Sequence, residues 1–463
     1  MSRKFTVLVI GLGRIGLPLA LLAAKKGNLV YGVEKNQYII NSLKIKRAPF
    51  KEPLVQSLIN KYLGISFFPV THISKVPTCE IVIITIGTSF DINSKQLGLD
   101  EMMSLFDSLI KYKLIKDKLI IIRTTVPIGT TDKIKIKIEE STKLVEGRDF
   151  FLVYCPERFL EGKAIYEEIK LPKIVGAYNE KAYKKAYSFL KIFGGRIIRV
   201  SSPKVAEFIK LSENSWRQLR FAFSNDIALL AEELGLDIKE IINAMNFKYP
   251  RNNIPMPSYG VSGYCLTKDP FIFDISFKPI SKRRGFNAVW HYGRLVNNYM
   301  VKHLYFLIKK LINTYKNNLK RIHLLILGLS YKADIDDFRY SHAIDLIRTL
   351  LKKYDPADKL NVYAFDPYTD YTGENPYSAL PQDIKDFIIL EKNFSQSFYE
   401  KDIVVITVPH RIFINAGKGK NLFKLIDKMR KPAIVIDCWN IWSHSFNSSK
   451  DNIVYWGVGR GLR

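Results

Sequence analysis

An apolar run, Phe5–Ile10, empties into Gly11-Leu-Gly13-Arg14-Ile15-Gly16, and no other stretch of the 463 residues limits the fold so tightly. Glycines at this spacing, between a strand and a helix, belong to a βαβ unit. Leu17–Lys26 has the composition of that helix and Leu29–Val33 that of a second strand, ending at Glu34. Gly11 makes the tight turn, Gly13 lets a pyrophosphate approach the backbone, and Gly16 allows close helix-to-strand packing. The helix N-terminus then faces the phosphates, with Arg14 and Ile15 on the cofactor side. Glu34 is placed to take the adenosine ribose hydroxyls, which favours NAD over NADP, although Lys35 beside it also suits a 2′-phosphate.

The strand pattern continues. Glu80–Ile86 ends at Gly87-Thr88, and Leu119–Ile122 ends at Arg123-Thr124-Thr125-Val-Pro-Ile-Gly129-Thr130. In an open parallel sheet, ligands lie outside the carboxyl ends of the strands, so Thr88 and Thr125 are cofactor candidates. Phe150–Tyr154 runs into Cys155-Pro-Glu157-Arg158-Phe159-Leu-Glu161-Gly162. A carboxylate pair in a loop is ordinarily solvated; here it shares an edge with the expected nicotinamide position.

Residues 201–319 read as helical. Ala206–Gly235 has the periodicity of one long amphipathic helix, and Asn225–Asn243 continues as helical sequence. Lys210, Asn214 and Arg217 fall at i, i+4 and i+7, on one stripe, which is either an exposed polar face or part of a site. Tyr249-Pro-Arg251 leads into Gly260-Val-Ser262-Gly-Tyr-Cys265-Leu-Thr-Lys268-Asp269, read here as a glycine-bearing loop. A thiol beside a cation is biased toward the nucleophilic thiolate, and glycines let a substrate approach. The ordinary alternative is a small buried hydrophobe before a turn. Asn287–Asn318 forms a second long helix, a connector and a candidate dimer surface.

The last third alternates again: Ile322–Leu327 ends at Gly328-Leu-Ser-Tyr-Lys332, a helix starts at Ala343, and Val362–Phe365, Ile403–Val408 and Ala433–Ile436 are further strands. The expected architecture is α/β: two Rossmann-like, doubly wound parallel-sheet domains over residues 1–200 and 320–463, joined by a central helical domain over 201–319. Without a second GxGxxG, the last domain has to hold a nucleotide differently, with Lys332 and Arg339 as phosphate or carboxylate partners.

Cys79, Cys155, Cys265 and Cys438 are widely separated and have neither disulfide-framework nor metal-ligand spacing, which fits a reducing, cytoplasmic compartment and no metal. Arg3 and Lys4 before an apolar run resemble a secretory leader, but Arg14 and the glycines interrupt it, and no segment is apolar for long enough to span a membrane. The formal net charge of +27 is spread over most segments rather than gathered in one tail or stripe. The expectation is therefore a lysine-rich surface that attracts a diphosphate ligand, with no nucleic-acid or membrane partner.

Taken together, GLGRIGLP, TTVPIGTT, CPERFLEGKA, AEFIKLSENSWR, GYCLTKDP and LSYKADIDDFRYS resemble the nucleotide-sugar 6-dehydrogenase family over nearly the whole chain. The resemblance implies four-electron oxidation of the C6 hydroxymethyl of a UDP-sugar by NAD, and a homodimer formed through the central helices. It implies Cys265 as nucleophile, Lys210 as proton-transfer or oxyanion group, Asp269 with Thr125 as a water-positioning pair, and Glu157 and Glu161 as the acidic pair. Lys268 and Arg339 match cofactor contacts, while Asn214, Gly260 and Lys332 match substrate contacts. The segments around Arg158 and Arg217 look like the branch acting on UDP-N-acetylhexosamines, with Phe159 and Arg251 also on the substrate side; N-acetylmannosamine is the expected sugar and glucose the alternative. Outside enzymes, the alternative is a catalytically silent nucleotide-sugar or nucleic-acid-binding scaffold, against which intact Cys265, Lys210, Asn214 and Asp269 argue. Glu161 and Lys268 stand where that branch has proline and an apolar residue, as in the UDP-glucose branch, and Ser262 stands where the family generally has glycine.

Overall fold

The computed structural model describes residues 4–91, 96–353, 360–418, 421–446 and 452–462. By internal packing the chain divides into two compact units, Met1–Asn214 with Phe271–Arg283, and Ser215–Pro270 with Arg284–Arg463.

The first unit is built on a sheet of eight strands, β1 (Thr6–Ile10), β2 (Leu29–Val33), β3 (Phe67–Val70), β4 (Ile81–Ile84), β7 (Leu119–Ile122), β8 (Phe151–Tyr154), β9 (Lys173–Ala177) and β10 (Ile197–Val200); a hairpin of β5 (Ser89–Asp91) and β6 (Gln96–Gly98) stands apart. The order is β10-β9-β8-β7-β4-β1-β2-β3. From β3 to β8 every neighbouring pair is parallel. The expected all-parallel sheet is modified at one edge, where β9 runs antiparallel to β8. β4 and β7 read as unbroken Ile/Val/Leu because helices cover both faces, leaving no wet face to impose alternation.

The second unit holds β11 (Ile322–Leu327), β12 (Leu360–Phe365), β13 (Ile388–Leu390), β14 (Ile403–Ile406), β15 (Ala433–Asp437), β16 (Ile453–Gly457) and the short antiparallel β17 (Gly461–Leu462). Their order is β13-β12-β11-β14-β15-β16-β17. Leu324 and Ile326 point into a core completed by Met300, Leu304, Ile308 and Leu311 of the Val289–Tyr315 helix. Leu325 and Leu327 point into a second core with Phe398, Phe413 and Trp442. Both sheets reverse direction of winding beside their first strand, between β1 and β4 and between β11 and β14, and the carboxyl ends there are where sheets of this kind hold ligands.

The long helix starting near residue 206 is Pro203–Glu233, followed by a separate helix, Ile238–Asn246. Tyr264–Arg284 is a further helix of 21 residues, running through Pro270 and Pro279. The expected loop at Gly260–Asp269 is therefore corrected: Cys265, Lys268 and Asp269 lie in the first turns of this helix. Pro270 and Pro279 lie beyond the helix's first four residues, so each removes one i→i−4 amide donor, from the carbonyls of Leu266 and Ile275. Among the described residues, no helix is long and apolar enough to cross a membrane, and no group of three or more His, Cys, Asp or Glu side chains is placed to hold a metal ion.

Candidate active site

In the first unit the glycine turn has the geometry that the sequence requires. Gly11 has φ of +92°, and a Cβ at Gly16 would stand 1.8 Å from the carbonyl oxygen of Gly11. Only glycine fits, so the turn can press against a diphosphate. Gly13 and Ile15 lie in the approach to the helix, whose first residue is Gly16. Glu34 holds the turn from the end of β2: Oε2 accepts from the Leu12 amide at 2.6 Å and Oε1 from the amides of Lys35 and Asn36 at 2.8 Å. Oε2, with one amide donor, keeps a second lone pair for a ribose hydroxyl. These residues fit a dinucleotide.

Arg14 is buried, its guanidinium 5.0 Å from the centre of the Phe50 ring and 3.9 Å from Glu161. The Thr88 hydroxyl donates to the carbonyl of Thr125 at 2.5 Å and so ties the ends of neighbouring strands. Glu157 is buried; its Oε1 accepts from the amides of Arg158 and Phe159, at 2.6 and 2.8 Å, and its Oε2 from Arg123 Nη2 at 2.7 Å. Burial pushes this carboxyl up, Arg123 opposes the shift and Glu168 adds to it. Lys210, also buried, donates from Nζ to the Glu157 carbonyl at 2.5 Å. Arg158 is paired with Glu213 at 2.5 Å, which joins the two segments read as substrate-facing. On the helical stripe, Lys210 and Asn214 are buried and Arg217 is exposed.

In the second unit, Cys265 is exposed while Cys79, Cys155 and Cys438 are buried. Its turn is pinned at three points. Gly263, with φ of +91°, donates its amide to the Tyr340 carbonyl at 2.9 Å, Ser262 donates to the Tyr331 carbonyl at 3.0 Å, and a Cβ at Gly263 would lie 2.4 Å from the Tyr331 ring. Ser262 thus adds a hydrogen bond where glycine has none. These contacts bring the Cys265 turn against the segment that carries Lys332 and Arg339. Lys268 is buried, with Nζ 4.2 Å from the centre of the Tyr264 ring and 3.8 Å from Asp269. Burial opposes its charge, but Asp269, Tyr264 and Cys265 together hold it above the ordinary lysine value. Arg339 grips Asp337 through Nε and Nη2, at 2.9 and 2.7 Å. Arg251 lies on the surface over the Tyr249 ring. Gly260 sits tightly enough that a Cβ would meet the Asn297 carbonyl oxygen at 2.5 Å.

The turn after β11 repeats the construction of the first glycine turn without its second and third glycines. Gly328 has φ of +101°, and the Leu329 amide donates to Asp366 Oδ2 at 2.7 Å, as Leu12 does to Glu34. Here His410 Nε2 also donates to Asp366, at 3.0 Å, while Nδ1 accepts from the Asp334 amide.

Sequence reasoning passed over several residues that build these sites. Arg123 was visible as a charge directly after an Ile run, but its partners Glu168 and Lys173 lie on later elements. Glu207 is buried and accepts from the amides of Gly129 and Thr131, joining the Lys210 helix to the segment after Thr125. Glu52 accepts from the amides of Gly162 and Ala164, at 2.6 and 2.8 Å, and so holds the turn after Glu161. No local pattern marks either glutamate.

A glycine-turn sheet and a second, similarly wound sheet in one chain define a dinucleotide-binding protein with a separate nucleotide fold. Family models match three successive segments: the NAD binding domain at residues 5–193, the central domain at 204–283 and the UDP binding domain at 325–444. The chain belongs to the UDP-glucose/GDP-mannose dehydrogenase family and is an NAD-dependent nucleotide-sugar dehydrogenase. It is 29% identical over 464 residues to a UDP-N-acetyl-D-mannosamine dehydrogenase of Pyrococcus horikoshii, covering 98% of this chain and 99% of that one. It is 27% identical to an NDP-N-acetyl-D-galactosaminuronic acid dehydrogenase of Ralstonia solanacearum, covering 95% and 96%. The solved structure of a UDP-D-ManNAc dehydrogenase from P. horikoshii matches with a TM-score of 0.81 at 26% identity, over 98% and 99% of the two chains.

Proposed function

We propose that the protein oxidises the C6 hydroxymethyl of a UDP-N-acetylhexosamine, N-acetylmannosamine first, to the carboxylate through a thiohemiacetal and a thioester on Cys265. The observation that carries this reading is the exposure of Cys265 at the start of a helix, beside buried Lys268, when the other three cysteines are buried. A helix N-terminus and a nearby cation both favour thiolate.

A primary alcohol cannot reach the acid level by hydride loss alone. After the first two-electron oxidation, the Cys265 sulfur adds to the aldehyde carbon; the thiohemiacetal loses a second hydride to become a thioester; and water cleaves the C–S bond, giving carboxylate and free thiol. NAD supplies the hydride acceptor at both oxidations. Lys210 stabilises the oxyanion that develops at the sugar carbon, Glu157 and Glu161 serve water and proton transfer during hydrolysis, and Asp269 with Thr125 positions that water. Gly11, Gly13, Arg14, Ile15, Gly16, Glu34, Thr88, Lys268 and Arg339 are assigned to the cofactor. Arg158, Phe159, Asn214, Arg217, Arg251, Gly260 and Lys332 are assigned to the substrate.

Support for an N-acetylated sugar comes from the resemblance of the segments around Arg158 and Arg217 and from the names of the relatives; Glu161 and Lys268 keep UDP-glucose as the alternative. We assign NAD-binding to residues 1–200, the central helical part to 201–319 and UDP-sugar-binding to 320–463. We assign the protein to a reducing cytoplasm, in keeping with four cysteines that form no disulfide.

Self-association is part of the proposal. Trp216, Phe223 and Leu230 are exposed at seven-residue intervals on one helix, and Tyr292, Tyr299 and Phe306 repeat the interval on another. Such a spacing puts each trio on one face, and apolar stripes of this length ordinarily mark an interface. A homodimer through these helices covers them.

A panel of UDP-sugars, followed by NADH formation, tests the reading. Two NADH per UDP-N-acetylmannosamine is expected. One NADH per sugar, or turnover confined to UDP-glucose, refutes the four-electron reaction or the sugar respectively.

A further inference from the structure

Four charged side chains lie out of solvent around one member of the candidate acidic pair, Glu157 itself with Arg123, Glu168 and Lys173. Two are cations and two are anions, so the group is neutral. Arg123 directly follows β7. Its Nη1 and Nη2 donate to the two oxygens of Glu168, at 3.0 and 2.9 Å, and Nη2 also reaches Glu157 Oε2 at 2.7 Å. Its carbonyl accepts from the Glu157 amide at 3.1 Å. Arg123 therefore holds Glu157 by side chain and backbone at once. Glu168 is braced in turn by Lys173, whose Nζ is 3.6 Å from Oε1 and donates to the Glu168 and Gly194 carbonyls.

The grip reaches further. Lys210 donates to the carbonyl of Glu157, so the same residue that Arg123 holds by its amide and side chain also fixes the proposed oxyanion group. We propose that Arg123, locked in a two-pronged bridge by Glu168, is the positioning residue through which the Glu157 carboxylate and the Lys210 ammonium are set for thioester hydrolysis. A surface ion pair would have no such leverage; a buried fork with defined geometry does, because Arg123 cannot move without stranding two carboxylates. This inference rests on the reading of Glu157 as a member of the acidic pair.

The groups facing Glu157 are Arg123 after β7, Cys155 after β8, Glu168 on the Ala164–Lys170 helix, Lys173 on β9, and Lys210, which meets its carbonyl. Of these, Arg123 is the near cation on the carboxylate itself. Burial raises the carboxyl, and Arg123 counters it. Without Arg123, Glu157 takes up its proton at higher pH.

The test compares Arg123→Met/Glu168→Gln, which removes one charge of each sign, with Arg123→Lys, which keeps the charge but loses the fork, and with Glu157→Gln. NADH and UDP titrations check that each variant is folded; intact-mass spectrometry follows the sugar adduct on Cys265, and a pH profile follows its release. A positioned proton-transfer group contributes roughly 100- to 10,000-fold, so losing its alignment should slow hydrolysis by about 10-fold or more in the double variant while NADH binding is retained. The acid limb should move to higher pH in the double variant and stay near its wild-type position in Arg123→Lys, whose hydrolysis is slowed less. Hydrolysis at the wild-type rate with an unmoved acid limb overturns the proposal, as does an equal loss of cofactor binding and hydrolysis. If the double variant does not fold, wild-type hydrolysis in Arg123→Lys overturns it and slowed adduct release supports it. Wild-type hydrolysis in Glu157→Gln instead refutes the reading of the acidic pair.

Discussion

Thr85 and Thr407 make the same pair of hydrogen bonds in two different sheets. The Thr85 hydroxyl lies 2.9 Å from the carbonyl of Ile10 and 2.8 Å from that of Gly11; the Thr407 hydroxyl lies 3.0 Å from that of Leu327 and 2.6 Å from that of Gly328. In both, a strand-end threonine clamps the first strand of its sheet where it turns toward the ligand crevice.

The clamps should therefore separate by ligand. Thr85→Val is expected to weaken NADH binding and leave UDP binding near wild type, and Thr407→Val to do the reverse. Losing a buried hydrogen-bonded hydroxyl costs about 1 kcal/mol or somewhat more, roughly a fivefold to tenfold change in Kd. Fluorescence titration with NADH and calorimetry with UDP read the two sites; a variant that weakens both ligands equally contradicts independent clamps.

Cys265→Ser should bind UDP-sugar and NAD but form no acid, because a serine alkoxide is far harder to generate than a thiolate. Lys210→Met should bind both ligands and lose roughly 100- to 1,000-fold in kcat, the usual effect of removing one oxyanion donor. Acid production by Cys265→Ser at the parental rate would rule out the thioester.

Glutamate at Phe223 and Tyr299 should dissociate the proposed dimer, since two buried charges per protomer on a covered apolar face have no partners. Sedimentation velocity of wild type and of the Phe223→Glu/Tyr299→Glu variant gives the answer. Identical sedimentation coefficients would remove these helices from any interface.

Stability should depend on His342. Burial holds its imidazole down from 6.5 to about 4. Its folded value thus lies below its unfolded one, the unfolded chain binds the extra proton between the two, and stability that is complete above 6.5 is lost as pH falls toward 4. Urea midpoints at about pH 7.5 and about pH 5 should differ less in His342→Asn than in the parent. An equal drop in both would place the acid sensitivity elsewhere.

Much of this was legible along the chain. Phe5–Glu34 could be read residue by residue, because a glycine turn between strand and helix is a local solution to a local steric problem, and the Gly16 Cβ clash confirms it. Along the chain the Cys265 segment reads as a loop because Gly260, Gly263 and Pro270 look like breakers; in three dimensions, contacts from Tyr331 and Tyr340 fix Gly263 and the helix starts at the next residue. β9 and the edge strand β10 are hard to read along the chain because Lys173, Gly176 and Arg199 interrupt their short apolar runs.

The sequence by itself determined the two wound sheets, the cofactor turn and the candidate chemical groups, since strand periodicity, glycine spacing and side-chain type are properties of neighbours in the chain. Only the tertiary structure decided which charges are buried together. Arg123, Glu157, Glu168 and Lys173 come from four separate stretches, and their electrostatics exist because folding removes water from all four at once.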